Sequence, residues 1–172
     1  MRLLAVALAV AGGLWIWLSR PGADDDAAQA ASTRIGAPAP DFELSLVDGR
    51  RVSLSDLKGR AVVLNFWATW CPPCRAEMAA LDQAQAGLED RGVVVLGVNQ
   101  RESESIVAGF VREQGLAFPI ALDPAGIANE AYRVAALPTT YFIDRDGIIR
   151  DVVYGGPMTR ALIESKAAAL VD

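Results

Sequence analysis

The chain has 172 residues, 52% of them hydrophobic and 22% charged, which places it among globular proteins and outside the composition of disordered tails. A net charge of −5, a sequence pI near 4.8 and the absence of any basic run exclude a nucleic-acid surface built on phosphate neutralisation. Two cysteines and no histidine exclude a multi-disulfide framework, a Cys/His zinc site, a Ser-His-Asp or Cys-His catalytic pair and a histidine-ligated haem.

Leu3 to Leu18 is an unbroken run of apolar residues and glycine behind Met1 and Arg2. As a helix it is about 24 Å long, a little short for a bilayer. Trp15 and Trp17 stand at its far end, where indoles favour the headgroup region, and Arg20 can snorkel to extend the span. Positive charge precedes the run and Asp24, Asp25 and Asp26 follow it, which orients the N-terminus to the cytoplasm. The pattern predicts a membrane anchor over residues 1–18 with the rest of the chain exported. A cleavable signal peptide, with Ala28-Gln29-Ala30 as its small-residue site, is the alternative and exports the same domain. A buried N-terminal core helix is the third reading. Residues 19–34 contain no large apolar side chain and predict a flexible linker with a reach of about 20 Å.

Residues 35–172 carry the signature of one folded domain. Phe42, Leu44 and Leu46 alternate, Asp48-Gly49 turns the chain, and Val52 and Leu54 resume, which predicts a hairpin. Ala61–Trp67 and Gly92–Val98 are continuous apolar runs of core strands, and Pro73–Asp90 between them has helical spacing at Met78, Leu81, Ala84 and Leu88. Helical pattern returns over Glu104–Gln114 and, more briefly, over Ile127–Tyr132. Thr139–Asp144 and Ile148–Tyr154 predict a hairpin about Asp146-Gly147, and Thr159–Leu170 a closing helix. A helix between the two core strands requires a parallel crossover while the last pair is antiparallel, so the sheet is mixed. The acidic Glu102, Glu104 and Glu113 read as a solvated helix face, with a basic partner as the alternative.

The chemistry concentrates in Trp70-Cys71-Pro72-Pro73-Cys74, between a core strand and the long helix. A cysteine at a helix start faces unpartnered amides and the positive end of the dipole, both of which favour thiolate, so Cys71 is the expected nucleophile. Cys74, one turn inward, is placed to resolve a mixed disulfide. Proline is tolerated in the first turn because its missing N–H would have no helical partner. A ring this small restricts the unfolded chain by only about 2 kcal/mol, which argues against a purely stabilising bond. Arg75 stands where haem attachment would need histidine.

Together with Asn65-Phe-Trp-Ala-Thr-Trp-Cys-Pro-Pro-Cys74, the segments Leu137-Pro-Thr-Thr-Tyr-Phe-Ile-Asp144 and Gly36-Ala-Pro-Ala-Pro-Asp-Phe42 resemble the thioredoxin superfamily. More narrowly the chain resembles the membrane-tethered thiol-disulfide reductases of the bacterial envelope, including those serving cytochrome c maturation. The resemblance implies an α/β, thioredoxin-like fold: a mixed central sheet flanked by helices, with an N-terminal β-hairpin and a central strand-helix insertion at about residues 99–125. It implies a redox-active Cys71/Cys74 disulfide and no cofactor. The partners it implies are an exported disulfide-containing protein, with apocytochrome c as the leading candidate, and a membrane-embedded thiol donor. The catalytic domain would face the periplasm from the cytoplasmic membrane.

Asn65 stands where cytoplasmic thioredoxins carry a buried Asp. Glu77, on the helical face of Cys74 and matched by a Glu in the tethered reductases, is the expected proton acceptor, with partial burial raising its pKa. The plainer reading of Glu77 is a first-turn carboxylate at the helix dipole. The resemblance implies that Pro138 is cis beside the cysteines and exposes backbone to a bound peptide; a proline at the start of a strand is the alternative. Trp70, a surface aromatic, joins Pro72, Pro73 and Pro138 as a candidate substrate contact, whereas Trp67 reads as core. Two other functions are weighed. A peroxiredoxin-like peroxide reductase lacks the required Thr three residues before either cysteine, and a copper-delivery module lacks its CxxxC and distant His.

Overall fold

Residues 33–171 are described by a computed structural model. The Leu3–Leu18 run and all but the last two residues of the 19–34 linker lie outside the described residues. Among those described, no helix is long and apolar enough to cross a membrane.

In chain order the elements are β1 (Glu43–Leu46), β2 (Arg51–Ser53), β3 (Ala61–Trp67), α1 (Pro72–Leu88), β4 (Val93–Gln100), α2 (Glu104–Gln114), β5 (Ile120–Asp123), α3 (Ile127–Ala131), β6 (Thr139–Ile143), β7 (Ile149–Tyr154) and α4 (Arg160–Ala168). The strands form one mixed sheet in the order β2-β1-β5-β4-β3-β6-β7. β3 and β4 are parallel, Val62 opposite Val94 and Leu64 opposite Leu96, while β6 is antiparallel to both β3 and β7.

Parallel strands at the centre of a sheet are covered on both faces, and period-two alternation sorts their side chains. Val63, Trp67, Val93 and Val95 pack with Met78, Leu81 and Ala84 of α1 and with Ile163 and Ala167 of α4. Val62, Leu64, Phe66, Val94 and Leu96 go to the opposite core with Tyr132 and Tyr141. The same alternation sends Asn65 to the α1 side, a polar residue on an otherwise apolar strand. In the second core Tyr141 Oη donates to the Tyr132 carbonyl at 2.8 Å and Tyr132 Oη to the Pro40 carbonyl at 2.9 Å. Burial pushes the Tyr141 hydroxyl up to about 12 and Tyr132 higher still.

The N-terminal hairpin forms with Leu44 opposite Val52. It attaches through the insertion: β5 runs parallel to β4 on one side and antiparallel to β1 on the other. The inserted strand follows the α2 helix. Its four residues are all buried, so neither alternation nor a long apolar run marks it in the sequence. β4 runs past Val98 because Asn99 pairs with both Trp67 of β3 and Leu122 of β5, and Gln100 pairs with Asp123 of β5.

Candidate active site at the head of helix α1

β3 ends at Trp67, and Ala68, Thr69 and Trp70 carry the chain to α1 with the Cys71 N–H donating to the Ala68 carbonyl at 3.2 Å. Cys71 is the N-cap of α1, in extended conformation at φ −90° and ψ 107°. Pro72 and Pro73 occupy the first two helical positions and have no N–H to offer. The first amide available to the cap is that of Cys74, and it donates to Cys71 Sγ at 3.3 Å. The two cysteines are joined in a disulfide, 2.06 Å between sulfurs and 5.3 Å between Cα atoms. Cys71 is 3% exposed and Cys74 0%, so the pair is more enclosed than its place at a helix start implies. Trp70, by contrast, is 67% exposed and Trp67 is buried in the core, as expected of each, while of the candidate contacts Pro72 is exposed, Pro73 half-buried and Pro138 buried.

Cys74, Glu77, Met78, Leu81 and Ala84 form the buried stripe of α1, so Glu77 is carried into the protein by helical spacing alone. Its side chain is wholly buried, beyond the partial burial expected. It is not a first-turn residue at the helix dipole. Oε1 accepts from Asn65 Nδ2 at 2.8 Å, and Oε2 accepts from the Met158 N–H at 2.9 Å. Asn65 Nδ2 donates in addition to Thr140 Oγ1 at 2.8 Å, while Asn65 Oδ1 has no partner. Burial pushes the Glu77 carboxyl above the usual carboxylate range; the Met158 and Asn65 donors pull it back in part.

Leu137-Pro138 is a cis peptide. Thr139, next in the chain, pairs with Phe66, so Pro138 lies at the end of the sheet from which β3 runs toward Cys71. Its carbonyl accepts from the Gly155 N–H at 2.8 Å. Gly156-Pro157 is a second cis peptide. A Cβ on Gly156 would lie 2.6 Å from Glu77 Oε2 and 2.8 Å from Pro138 Cγ, so this glycine stands between the buried carboxyl and the cis proline. Gly156→Ala is therefore expected to destabilise the domain by about 1–3 kcal/mol through overpacking, read as a lower urea midpoint at unchanged slope. The Gly155-Gly156-Pro157 run reads as a turn from composition, but that it faces Glu77 is visible only in three dimensions.

Of the acidic trio read as a solvated face, Glu104 and Glu113 are exposed. Glu102 is not such a residue. Arg101, at φ 57°, redirects the chain after β4, and the Glu102 carboxylate turns onto the loop before Cys71. It accepts from the Thr69 N–H at 2.7 Å, Thr69 Oγ1 at 2.5 Å and Asn99 Nδ2 at 2.8 Å. Among the described residues no three His, Cys, Asp or Glu side chains converge to hold a metal.

The arrangement can cycle between a disulfide and two thiols, with an amide donor at Cys71 and a carboxyl buried on the helical face of Cys74. Comparison with known proteins agrees with this chemistry. The chain is 42% identical over 126 residues to the thiol-disulfide oxidoreductase ResA of Oceanobacillus iheyensis, covering 71% of this chain and 66% of that protein. It is 44% identical over 134 residues to the thioredoxin-like protein YneN of Bacillus subtilis, covering 76% and 77% of the two chains. The crystal structure of a thiol:disulfide interchange protein of the thioredoxin family from Chlorobium tepidum superposes with a TM-score of 0.73 at 30% identity, over 81% of this chain and 98% of that one. The AhpC/TSA family model matches residues 35–152, and the chain belongs to that family as a thiol-disulfide oxidoreductase of the thioredoxin superfamily.

Proposed function

We propose that this oxidoreductase is anchored in the cytoplasmic membrane by residues 1–18, faces the periplasm on the 19–34 linker, and reduces disulfides of exported proteins, apocytochrome c among them. The observation that carries the exchange chemistry is the wholly buried Glu77 carboxyl one turn beyond Cys74, with Asn65 rather than an acid on the strand beneath it, while the anchor and its orientation rest on the Leu3–Leu18 run and the charges that flank it. A buried thiol that must act as nucleophile needs a base, and Glu77 is the one suited by position and by its raised pKa.

In the reduced protein the Cys71 thiolate attacks one sulfur of a substrate disulfide. A mixed disulfide forms and the other substrate sulfur leaves as a thiolate that takes a proton. Cys74 then gives its proton to Glu77 and attacks Cys71 Sγ, closing the Cys71/Cys74 disulfide and expelling the second substrate thiolate, which is protonated in turn. The substrate gains two electrons and two protons: both electrons come from the cysteine pair, one proton is returned by Glu77, and the other comes from solvent, which took it when Cys71 ionised. A membrane-embedded dithiol donor restores the cycle by the reverse exchange, and no cofactor takes part. Pro138 and the neighbouring backbone serve to dock the substrate chain, with Trp70, Pro72 and Pro73 lining the approach to Cys71.

The test is the redox state of exported proteins bearing a CxxCH sequence, read by thiol alkylation in cells lacking this chain. Accumulation of their disulfide form, reversed by the wild-type chain and not by Cys71→Ser, is the expected result. Unchanged thiol content in those proteins would overturn the assignment of substrate and direction.

A further inference from the structure

We propose that Glu102 is a positioning residue for exchange at Cys71: its carboxylate clamps Thr69 and so sets the course of the Thr69-Trp70-Cys71 segment that receives the substrate chain, a role that rests on the Cys71/Cys74 pair being the site of exchange. Trp70 is 67% exposed, so packing does little to hold its ring, and its direction is inherited from the backbone before it. Thr69 is the polar residue of the Ala68-Thr69-Trp70 bridge. Both of its donors, the backbone N–H and the hydroxyl, end on Glu102. The carboxylate is itself held, because Oε2 also accepts from Asn99 Nδ2, and Asn99 lies directly opposite Trp67 in the β3/β4 register. The clamp thus ties the Thr69-Trp70 side of the site to the two central strands at the point where β3 ends.

Glutamine, alanine and valine substitutions at this clamp separate its geometry from its charge. A glutamine at 102 can accept from the Thr69 and Asn99 N–H groups with its carbonyl oxygen and donate its NH₂ to the Thr69 hydroxyl, which reverses its own role from donor to acceptor. All three bonds persist and only the charge is lost. Alanine removes all three. Thr69→Val removes the hydroxyl arm alone.

The experiment uses the full chain in detergent micelles, reducing a synthetic peptide with an internal CxxC disulfide, with dithiothreitol as regenerating reductant. Glu102→Ala is expected to raise KM for the peptide about tenfold with kcat changed less than about threefold, Thr69→Val to raise it about threefold, and Glu102→Gln to stay within about twofold of wild type. Reduction of a small aromatic disulfide, which needs no docking, is expected to be nearly unchanged in all three. Amide hydrogen exchange over residues 68–71 is expected to quicken in Glu102→Ala and not in Glu102→Gln. A Glu102→Gln effect as large as that of alanine would overturn the clamp in favour of charge. An unchanged KM in Glu102→Ala, or in Thr69→Val should the alanine variant not fold, would overturn it as well. If the wild-type chain does not turn the peptide over, the substrate reading fails, and the hydrogen-exchange comparison still decides the clamp.

Discussion

Cys71→Ser is expected to abolish disulfide exchange, by at least about 10³-fold, and Cys74→Ser to halt the cycle with partner proteins covalently held on Cys71. The asymmetry comes from the head of α1. Cys71 is the N-cap, and because Pro72 and Pro73 carry no N–H, the Cys74 amide is the donor left to its sulfur. A negative sulfur is favoured by that bond and by the positive end of the helix, whereas Cys74 lies inside the first turn with no exposed surface. In the reduced protein, iodoacetamide near neutral pH is therefore expected to label Cys71 well ahead of Cys74. Peptide mapping of the alkylated protein measures the two rates. Equal labelling would exchange or erase the assigned roles, and recovery of no mixed disulfides from Cys74→Ser would show that Cys74 is not the resolving thiol.

Glu77→Gln is expected to slow the resolving step by about 10²-fold while leaving the first attack by Cys71 nearly intact. Glutamine preserves shape and can still accept from Asn65 or the Met158 amide, but it cannot take a proton from Cys74. Stopped-flow reduction of a model disulfide, with formation and decay of the mixed disulfide followed separately between pH 6 and 8, measures both steps. An unaltered decay rate would remove Glu77 from the chemistry. The same substitution carries a stability signature of definite sign. Burial raises the folded-state pKa of Glu77, so across the interval between its unfolded and folded values the folded protein binds more protons than the unfolded chain. Stability from this group is fully present below the ordinary glutamate range and is lost as pH rises through the raised value. Urea unfolding of the oxidised forms should accordingly show wild type losing stability relative to Glu77→Gln as pH increases across that interval. A difference that is flat with pH, or of opposite slope, would contradict the raised pKa.

Much of this site is legible in one dimension because the signals are local. The stop of an apolar strand at Trp67, two prolines at a helix start and a cysteine on either side of them place Cys71 at the cap and Cys74 one turn in, and strict helical spacing puts Glu77 on the stripe that also carries Met78 and Leu81. Period-two alternation along Ala61–Trp67 likewise sends Asn65 to the face where that stripe lies. These relations depend only on the repeat of a helix or a strand, which the residues themselves dictate. What tertiary structure alone decided are the pairings between segments far apart in the chain. The Met158 amide reaches Glu77 across 81 positions. Gly156 fills the space between Glu77 and Pro138. Glu102 leaves the solvated face its neighbours suggested and closes on Thr69, 33 positions earlier. β5, too short and too evenly buried to announce itself, joins the hairpin to the sheet. In each case the partner is chosen by the geometry of packed elements, because a buried carboxylate or amide takes whichever complementary group the fold delivers to it, and no local periodicity encodes which one that is.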